Sequence, residues 1–421
     1  MSWKNYPIAA LVMLLGLHLV AHVDRNLLVA FAPQVIGDLS INNTQFGFLA
    51  GAAWVLSYSI TSVLAGALAD RYSRTRILGV AILIWSACTA ASGYAMSFEQ
   101  MVAARLLVAC GEAALVPAAL SLLIELFSVQ RFSTASGVFF MGLPLGTGAA
   151  FLIAGTYGAV NGWRGSFYLL GVIGALLAVP MFFLRDDRGQ TTAQAGGLRL
   201  FDQVRTALAD LRATPVVGFT MLGFVTIHIA FASLAFIQVW LVQERGFEAA
   251  EIARRVGGMQ LTFGTLGALV GGVLADRLAR RVPGGHAGFI VLLMVLCGPL
   301  MLMRFVVASD SPAFFVCLCA AFFLPLAIYG PANALLQGLT PARSRSLVTG
   351  ITILLINVIA IAIASAVVGA AIDKLKAAGA ASPLSTVLFW ADATALCSAF
   401  FFLLAARQRR EASLMPMKAS A

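Results

Sequence analysis

The hexapeptide Gly66-Ala67-Leu68-Ala69-Asp70-Arg71 returns later in the chain as Gly272-Val273-Leu274-Ala275-Asp276-Arg277. The offset is 206 residues (272 − 66), close to half of the 421-residue chain. Each copy ends a long apolar run and opens a basic loop, at residues 72–76 and 278–281. A duplication in this setting predicts two similar membrane-embedded halves. Secondary transporters use such repeats to build a central site that opens to either side.

Composition indicates an integral membrane protein, because 60% of the residues are hydrophobic and only 11% are charged. Apolar runs of roughly 20 residues, enough to cross ~30 Å of hydrocarbon, follow one another along the chain. Such runs must be helices, since lipid offers a sheet edge no hydrogen-bond partner. We therefore predict an all-α fold with 12 transmembrane helices in two pseudosymmetric six-helix bundles. The predicted spans are 8–33, 45–68, 77–96, 99–126, 133–158, 165–184, 215–241, 252–275, 287–307, 312–338, 346–372 and 385–406.

The basic residues predict the orientation. With the amino terminus in the cytoplasm, 19 Lys and Arg residues lie on the cytoplasmic side, 7 outside and 2 within the membrane, which accounts for all 28. Basic residues favour the cytoplasmic side, so both termini are predicted to be cytoplasmic. The net charge of +10 then reports topology, and its scatter over short loops argues against nucleic-acid binding. The alanine-rich composition favours a bacterial plasma (inner) membrane.

The longest polar interval divides the chain. We predict a first bundle at 1–184, a cytoplasmic linker at 185–214, and a second bundle with a short cytoplasmic tail at 215–421. Within the linker an apolar stripe, with Asp202, Arg205 and Arg212 off it, indicates a short amphipathic helix at the membrane surface; a disordered linker is the alternative. The stripe consists of Phe201, Val204, Leu208 and Leu211.

The repeated hexapeptide resembles the loop signature of the major facilitator superfamily, Gly-x-Leu-Ala-Asp-Arg-x-Gly-Arg-Arg, although Ser73 stands where its second Gly is usual. Its glycine is expected to let two helices approach closely. The resemblance implies a cytoplasmic gate; the alternative is that these charges only fix topology. The gate residues it implies are Gly66, Asp70, Arg71, Arg74, Gly272, Asp276 and Arg277.

A narrower likeness is to the Spinster-like branch of that superfamily. His22-Val23-Asp24-Arg25 is similar to its aromatic-x-Asp-Arg, and Arg105 and Glu112 match its Arg-(x)6-Glu stretch. Ala109 departs from a usual Gly, and the eleventh span lacks glycines common in the branch. The resemblance implies a proton-linked carrier, with several members of the branch moving lysophospholipids or sphingoid phosphates.

Four ionisable residues fall well inside predicted spans: Asp24, Arg25, Arg105 and Glu112. Each would cost roughly 2.5–3.5 kcal/mol at the bilayer centre, so they are expected to face protein or water. Arginine does not release its proton, so a coupling proton must go to Asp24 or Glu112. We predict that these carboxylates couple protons while Arg25 and Arg105 bind the substrate. A permanent salt-bridge network between the first and fourth helices is the alternative. The second half is expected to lack a comparable charge, since Asp392 lies nearer a helix end.

Other polar and aromatic residues occupy middle or inner positions of the spans. His22 could join the proton path, although a hydrogen-bonded packing histidine explains it better, and His18 lies four residues away on the same face. Asn42-Asn43-Thr44 fits a glycosylation sequon, but a cap on the second helix explains it better. The remaining predicted substrate-binding residues are Trp54, Tyr58, Phe139, Phe231, Gln238, Gln260, Asn333 and Asn357.

These patterns favour a proton-coupled secondary active transporter that moves an amphipathic anion such as a lysophospholipid by alternating access. We expect it to be a monomer. The alternatives are an organic-anion/proton symporter, since Asp24-Arg25-Asn26-Leu27 is similar to the anion–cation symporters of the superfamily, and a multidrug efflux carrier. An enzyme is not expected, because the sequence has no paired-His metal spacing, nucleophile motif or phosphate-binding loop. No metal or cofactor is expected, and a passive channel conflicts with the repeated gate motif.

Overall fold

The computed structural model describes residues 6–71, 73–183, 209–279, 281–341 and 344–418. Within these ranges the side chains of 63–71, 129–130, 133, 276, 346 and 409–418 are not described. Every regular element in the described ranges is helical. The predicted amphipathic helix of the linker falls mostly on residues 184–208, which lie outside the described residues.

Eleven helices of the described part are long and apolar enough to cross a membrane. A further helical run at 43–71, the predicted second span, consists of Asn43–Gly47, Phe48–Ala52 and Ala53–Arg71. We number this run α2, and the predicted twelve-helix fold is confirmed. The other eleven are α1 (Pro7–Ala30), α3 (Arg74–Gly93), α4 (Phe98–Leu126), α5 (Thr134–Gly155), α6 (Tyr157–Phe183), α7 (Pro215–Ala235), α8 (Ala249–Leu274), α9 (His286–Met303), α10 (Pro312–Leu339), α11 (Leu347–Ala377) and α12 (Pro383–Gln408).

The chain forms two compact units. The first consists of Met1–Gln194, Ala235–Leu261 and Ser365–Lys374. The second consists of Ala195–Leu234, Thr262–Ala364 and Leu375–Ala421. This division differs from the predicted bundles, because parts of α8 and α11 group with the first unit. The domain boundaries at 1–184, 185–214 and 215–421 stay a prediction.

Glycines bring the later segments of the first unit against its earlier helices. A Cβ added at Gly369 on α11 would lie 2.2 Å from the Asn43 carbonyl oxygen, and one at Gly155 on α5 would lie 2.6 Å from the Ala250 carbonyl oxygen. Only glycine permits such an approach of two backbones. The guanidinium of Arg254 adds a hydrogen bond of 2.7 Å to the Gly155 carbonyl.

The start of α2 is capped twice. Asn42 accepts a hydrogen bond from the Gln45 backbone N–H while the Gln45 side chain accepts one from the Asn42 N–H, which confirms the predicted helix cap. The Asp373 carboxylate of α11 then accepts from the backbone N–H groups and side chains of Asn43 and Thr44, at 2.7–3.1 Å. A carboxylate is favoured there by the unpaired N–H groups and the dipole of a helix start.

In the second unit, one expectation about the repeated motif is wrong. A Cβ at Gly272 would meet nothing within 4 Å, so this glycine does not permit a close helix contact. The neighbouring Gly271 does, since a Cβ there would lie 2.2 Å from the Ala327 carbonyl oxygen on α10. The helix is rotated so that the residue before the motif faces its neighbour, a difference of about 100° per residue that the motif alone does not reveal.

Several spans depart from regular α-helix. Wider π-helical turns occur at Phe48–Ala52, Gln260–Gly264, Val270–Leu274 and Ile356–Ile363. Such turns are frequent at functional positions. Two predicted substrate-binding residues, Gln260 and Asn357, lie in them.

Candidate functional site: the buried charges of the first unit

Asp24 and Arg105 form a buried ion pair between α1 and α4. The Arg105 guanidinium lies 2.8 Å from Asp24 Oδ1, and both side chains are at most 2% exposed. The Thr89 hydroxyl of α3 donates to Asp24 Oδ2 at 2.6 Å. Arg105 also reaches the Asp24 carbonyl at 3.4 Å. Both carboxylate oxygens of Asp24 therefore have donors, and three helices meet at one charge.

Glu112 lies seven residues after Arg105 on α4, and its carboxylate has a different set of hydrogen bonds. Its Oε2 accepts a hydrogen bond of 2.7 Å from the Trp54 indole N–H of α2. Its Oε1 is buried and has no hydrogen-bond partner among the described residues. Glu112 is thus a buried carboxyl with room for one more hydrogen-bond donor or for a proton, since a buried oxygen without a partner is costly.

Arg25 is partly buried on α1, and its guanidinium carbon lies 3.9 Å from the ring centroid of Trp54. The Tyr58 ring stacks on the same indole with centroids 4.2 Å apart. Arg25 makes no hydrogen bond or ion pair with any described side chain. A cation over an indole face is stabilised, but its five N–H donors still need acceptors.

The expectation that the four mid-span charges avoid lipid is confirmed for three of them: Asp24 is 0%, Arg105 2% and Glu112 5% exposed. With both carboxylates ionised the four charges sum to zero. Asp24 and Arg105 form an ion pair, whereas Glu112 and Arg25 form no ion pair with each other among the described residues, and both contact the Trp54 indole.

The two histidines of α1 lie beside the charged group. His18 is buried, bonds the Phe139 carbonyl through Nδ1 at 3.0 Å, and stacks on the Phe139 ring at 4.3 Å. His18 is therefore a hydrogen-bonded packing histidine, whereas the same interpretation of His22 stays a prediction. The His22 ring stands edge-on to His18 with centroids 4.6 Å apart. Gly142 and Gly146 of α5 make room for both rings.

The other predicted binding residues are spread over both units. In the first, Phe139 is fully buried in the hydrophobic core, and Gln238 is fully buried with its amide donating to the Ala249 carbonyl at 2.9 Å. Gln260 is also buried. In the second unit, Asn333 donates to the Tyr329 carbonyl at 3.0 Å, the usual bond of a packing residue within its own helix. Phe231 and Asn357 are partly buried.

Of the predicted gate residues, Gly66, Asp70 and Arg71 lie in α2 where side chains are not described, and the side chain of Asp276 is likewise outside the described residues. Arg277 is exposed. Arg74 is fully buried, donating to Glu125 at 2.8 Å and to Ser121 at 3.0 Å. Arg74 therefore ties the start of α3 to the end of α4 within the first unit.

The expectation that the second half lacks a comparable buried charge is wrong. Arg304, at the end of α9, is ion-paired with Asp392 of α12, and both side chains are 0% exposed. Arg304 also donates to the Ser233 hydroxyl of α7 at 3.2 Å. Sequence position alone placed Arg304 near a loop, but the packing of three helices buries it.

Sequence reasoning missed Thr89, Arg304 and Asp373. Thr89 and Ser233 look like ordinary small residues of apolar spans. For Arg304 and Asp392 a signal existed: an Arg and an Asp within two predicted spans of the same half can neutralise each other. Asp373 carried no signal, because its partners at residues 43–44 are more than 300 positions away.

Comparison with known proteins agrees with this architecture. Residues 14–365 match the model of the Major Facilitator Superfamily. The chain is 27% identical over 416 residues to an MFS-type efflux pump of Mycolicibacterium smegmatis, covering 97% of this chain and 94% of the pump. It is 26% identical over 339 residues to a hexuronate transporter of Bacillus subtilis, covering 78% and 79%.

The fold also matches a solved relative. A bacterial homolog of the human lysosomal transporter Spinster, in an inward-facing and unoccupied conformation, aligns with a TM-score of 0.80 at 20% identity, covering 96% of this chain and 98% of that one. The predicted likeness to the Spinster-like branch is supported by Protein spinster of Drosophila melanogaster, which is 26% identical over 292 residues, covering 68% of this chain and 48% of that protein. Family and relatives are transporters and not enzymes. This twelve-helix chain belongs to the major facilitator superfamily of membrane transporters.

Proposed function

We propose that this transporter works by alternating access, takes up a coupling proton on Glu112, and binds an amphipathic or anionic small molecule, such as a lysophospholipid, through Arg25. In this proposal one chain acts alone in the plasma membrane with both termini in the cytoplasm. The observation that carries it is the contrast within one cluster: Glu112 and Arg25 have unmet hydrogen-bonding capacity, whereas Asp24 and Arg105 satisfy each other.

A coupling carboxyl must be stable in both protonation states. Asp24 is a poor host for a proton in this arrangement, because Arg105 and Thr89 already donate to both of its oxygens. Glu112 receives one donor, on Oε2, which leaves Oε1 for the proton. Proton relays in membrane proteins use buried carboxyls of this kind. Asp24 remains the second candidate, should Arg105 change partners during transport.

Arg25 is suited to hold an anion. It is a permanent cation inside a membrane span with no carboxylate against it among the described side chains, and its guanidinium can bind a carboxylate or phosphate with two parallel bonds. Protonation of Glu112 would leave the four-charge cluster at +1, so an arriving anion restores neutrality. Arg105 would contribute to binding mainly by keeping Asp24 neutralised.

The substrate class separates this proposal from its alternatives. The hexuronate relative supports an organic-anion/proton symporter, and the efflux-pump relative supports a drug carrier. An anionic lysolipid and a hexuronate both need Arg25, whereas a hydrophobic cation does not. A lysolipid further needs room for an acyl chain.

Uptake into proteoliposomes tests the proposal. Purified protein with an imposed pH gradient is given lysophosphatidylglycerol, glucuronate or ethidium in separate assays. We expect proton-driven movement of lysophosphatidylglycerol, its loss in Arg25→Gln, and normal activity in Arg255→Gln, whose exposed side chain pairs with Glu251 four residues earlier on the same helix.

Each other outcome is informative. Glucuronate movement that needs Arg25 would replace the lysolipid by a small organic acid. Ethidium movement that survives Arg25→Gln would establish drug efflux and overturn the anion-binding role. Currents without gradient-driven accumulation would indicate a channel.

A further inference from the structure

The Trp54 side chain contacts both the proposed proton site, Glu112, and the proposed substrate-binding residue, Arg25. Trp54 donates its indole N–H to Glu112 at 2.7 Å, and the face of the same indole covers the Arg25 guanidinium at 3.9 Å. Its other neighbour is the stacked Tyr58 ring at 4.2 Å. Trp54 is 9% exposed, so this contact set leaves the indole little freedom.

We propose that Trp54 is a positioning residue that keeps Arg25 covered while Glu112 is ionised and releases it when Glu112 takes up a proton. This inference rests on the proposed function and assigns the physical link between its two steps. In this inference Trp54 couples proton binding at Glu112 to substrate binding at Arg25. A direct contact between Glu112 and Arg25 is not required.

The hydrogen bond supplies the switch. An ionised carboxylate accepts the indole N–H in a charge-assisted bond, roughly twice as strong as a bond between neutral groups. The proton adds to Oε1, the oxygen without a partner, and the bond at Oε2 becomes an ordinary one. The indole is then held less firmly, and the face of Arg25 is exposed at the moment when Glu112 no longer balances its charge.

The surroundings of Glu112 determine what else responds to pH. The charged groups that act on it are Asp24 and Arg25 of α1 and Arg105 of its own helix. Tyr58 is the titratable group on α2, and Cys88 of α3 lies within the field of Asp24. His22 of α1, next to His18, is the titratable group that acts on Arg25 from its own helix. Asp24 and Arg105 neutralise each other, and the proposal concerns the balance between Glu112 and Arg25.

Trp54→Phe tests the link, because phenylalanine keeps an aromatic face for Arg25 but lacks the N–H. The chain offers a matched control: Trp163 also donates to a carboxylate, Asp38 at 2.8 Å, and also lies under an arginine, Arg164 at 4.1 Å. The affinity for lysophosphatidylglycerol is measured by thermal-shift titration at about pH 9 and about pH 5.5, which bracket protonation of a buried carboxyl.

We expect wild-type protein to bind lysophosphatidylglycerol more tightly at about pH 5.5 than at about pH 9. Trp54→Phe should raise the affinity at the alkaline end by about fivefold, the difference between a charge-assisted and a neutral hydrogen bond, and leave the acid end unchanged. Trp163→Phe should follow wild type at both ends. In a Glu112→Gln background, Trp54→Phe should have no further pH-dependent effect, because the two changes remove one interaction.

If Trp54→Phe changes the affinity for lysophosphatidylglycerol equally at both pH values, Trp54 is a packing residue and the inference is overturned. A Trp54→Phe effect that persists in the Glu112→Gln background would also overturn it.

Infrared difference spectra of ligand-free protein between acid and alkaline solution separate this inference from the proposed function and need no folded Trp54 variant. We expect a carboxylic-acid band, absent in Glu112→Gln, to appear together with a shift of an indole N–H band. A carboxyl band without an indole shift would overturn the Trp54 link while leaving Glu112 as the proton site. No carboxyl band at all would overturn the proposed proton site and the link with it.

Discussion

Each unit contains a buried ion pair, and among the described residues the first unit adds a further carboxyl and a further arginine close to its pair. Arg304 and Asp392 of the second unit are 0% exposed and face each other, with Ser233 beside them. Asp24 and Arg105 of the first unit form an equivalent pair, with Thr89 beside them. Glu112 and Arg25, joined by Trp54, have no described counterpart in the second unit.

This difference separates two uses of charge inside a membrane protein. A closed pair fixes the helices that supply it, and its net contribution to stability is small because desolvation offsets attraction. Glu112 Oε1 in the first unit and Asp392 Oδ1 in the second are both buried without a hydrogen-bond partner among the described residues, which is costly. Because the first unit carries Glu112 and Arg25 in addition to its ion pair, we propose that it holds the proton and substrate sites.

The largest expected effect on stability comes from breaking the Arg304–Asp392 ion pair of the second unit. Arg304→Met leaves the buried Asp392 carboxyl without its charged partner, and should lower the free energy of unfolding by about 3–5 kcal/mol. Adding Asp392→Leu should restore most of that loss, because the pair is then replaced by apolar packing. Thermal unfolding in detergent measures both.

The double variant Arg304→Met/Asp392→Leu should still accumulate substrate under a pH gradient. If it folds but loses proton-driven transport, the second pair is part of the coupling and the contrast between the units fails.

Within the first unit, substitution of Arg25 should affect mainly anion binding, and substitution of Arg105 should affect mainly stability. Arg25→Gln should weaken anion binding by about 1.5–3 kcal/mol, the worth of hydrogen bonds to a charged group, with little change in unfolding temperature. Arg105→Gln should destabilise the fold by removing the partner of Asp24. Binding isotherms and unfolding curves on the same preparations check the pair. Similar destabilisation by both would mean that Arg25 is also a structural cation.

Asp373 tests the contacts that join α11 to the start of α2. Asp373→Asn retains the shape but removes the charge that four donors of Asn43 and Thr44 share. We expect a loss of about 1–2 kcal/mol, as for other helix caps, measured by thermal unfolding. Asp310→Asn, at an exposed position, is the control. An unchanged midpoint for Asp373→Asn would show that the cap contributes nothing measurable.

The smallest effect concerns Asp38, which follows α1. The hydrogen bond from Trp163 is the main cause that holds the pKa of Asp38 below its usual value, and Arg164 assists. A lowered pKa in the folded state stabilises the fold above the unfolded-state pKa of about 3.9, and this stabilisation is lost as the pH falls through the lower folded value. Because Asp38 is exposed, we expect only about 0.2–1 kcal/mol.

Unfolding curves of wild type and Asp38→Asn between about pH 6 and about pH 3 measure this contribution. The two curves should differ near neutrality and converge in acid. Parallel curves would mean that Asp38 is not ionised differently in the folded and unfolded protein.

Much of the fold followed from the sequence because lipid restricts the choices. Apolar runs of sufficient length must be helices, and the repeated motif at residues 66–71 and 272–277 fixes the duplication. The same restriction brought Asp24, Arg105 and Glu112 to the interior, since no charge is stable against acyl chains. Arg25 and Trp54 were both named from sequence, but not their contact.

What remained hidden depends on helix rotation and on distant partners. One residue of rotation separates Gly271, which packs against Ala327, from Gly272, which does not. The identity of the donor to each carboxylate, Thr89 to Asp24 and Trp54 to Glu112, is set by which helices pack together. Arg304 was not singled out from the sequence because it lies near the end of its predicted span, 287–307, where composition does not distinguish a loop charge from a buried one.

The most direct test of the central claim is a comparison of two transport modes in Glu112→Gln. Counterflow exchanges labelled for unlabelled lysophosphatidylglycerol without net proton movement, whereas accumulation under an imposed pH gradient requires coupling. We expect Glu112→Gln to retain counterflow and to lose gradient-driven accumulation, and Glu99→Gln, at an exposed position, to retain both. Undiminished gradient-driven accumulation in Glu112→Gln would contradict the central claim.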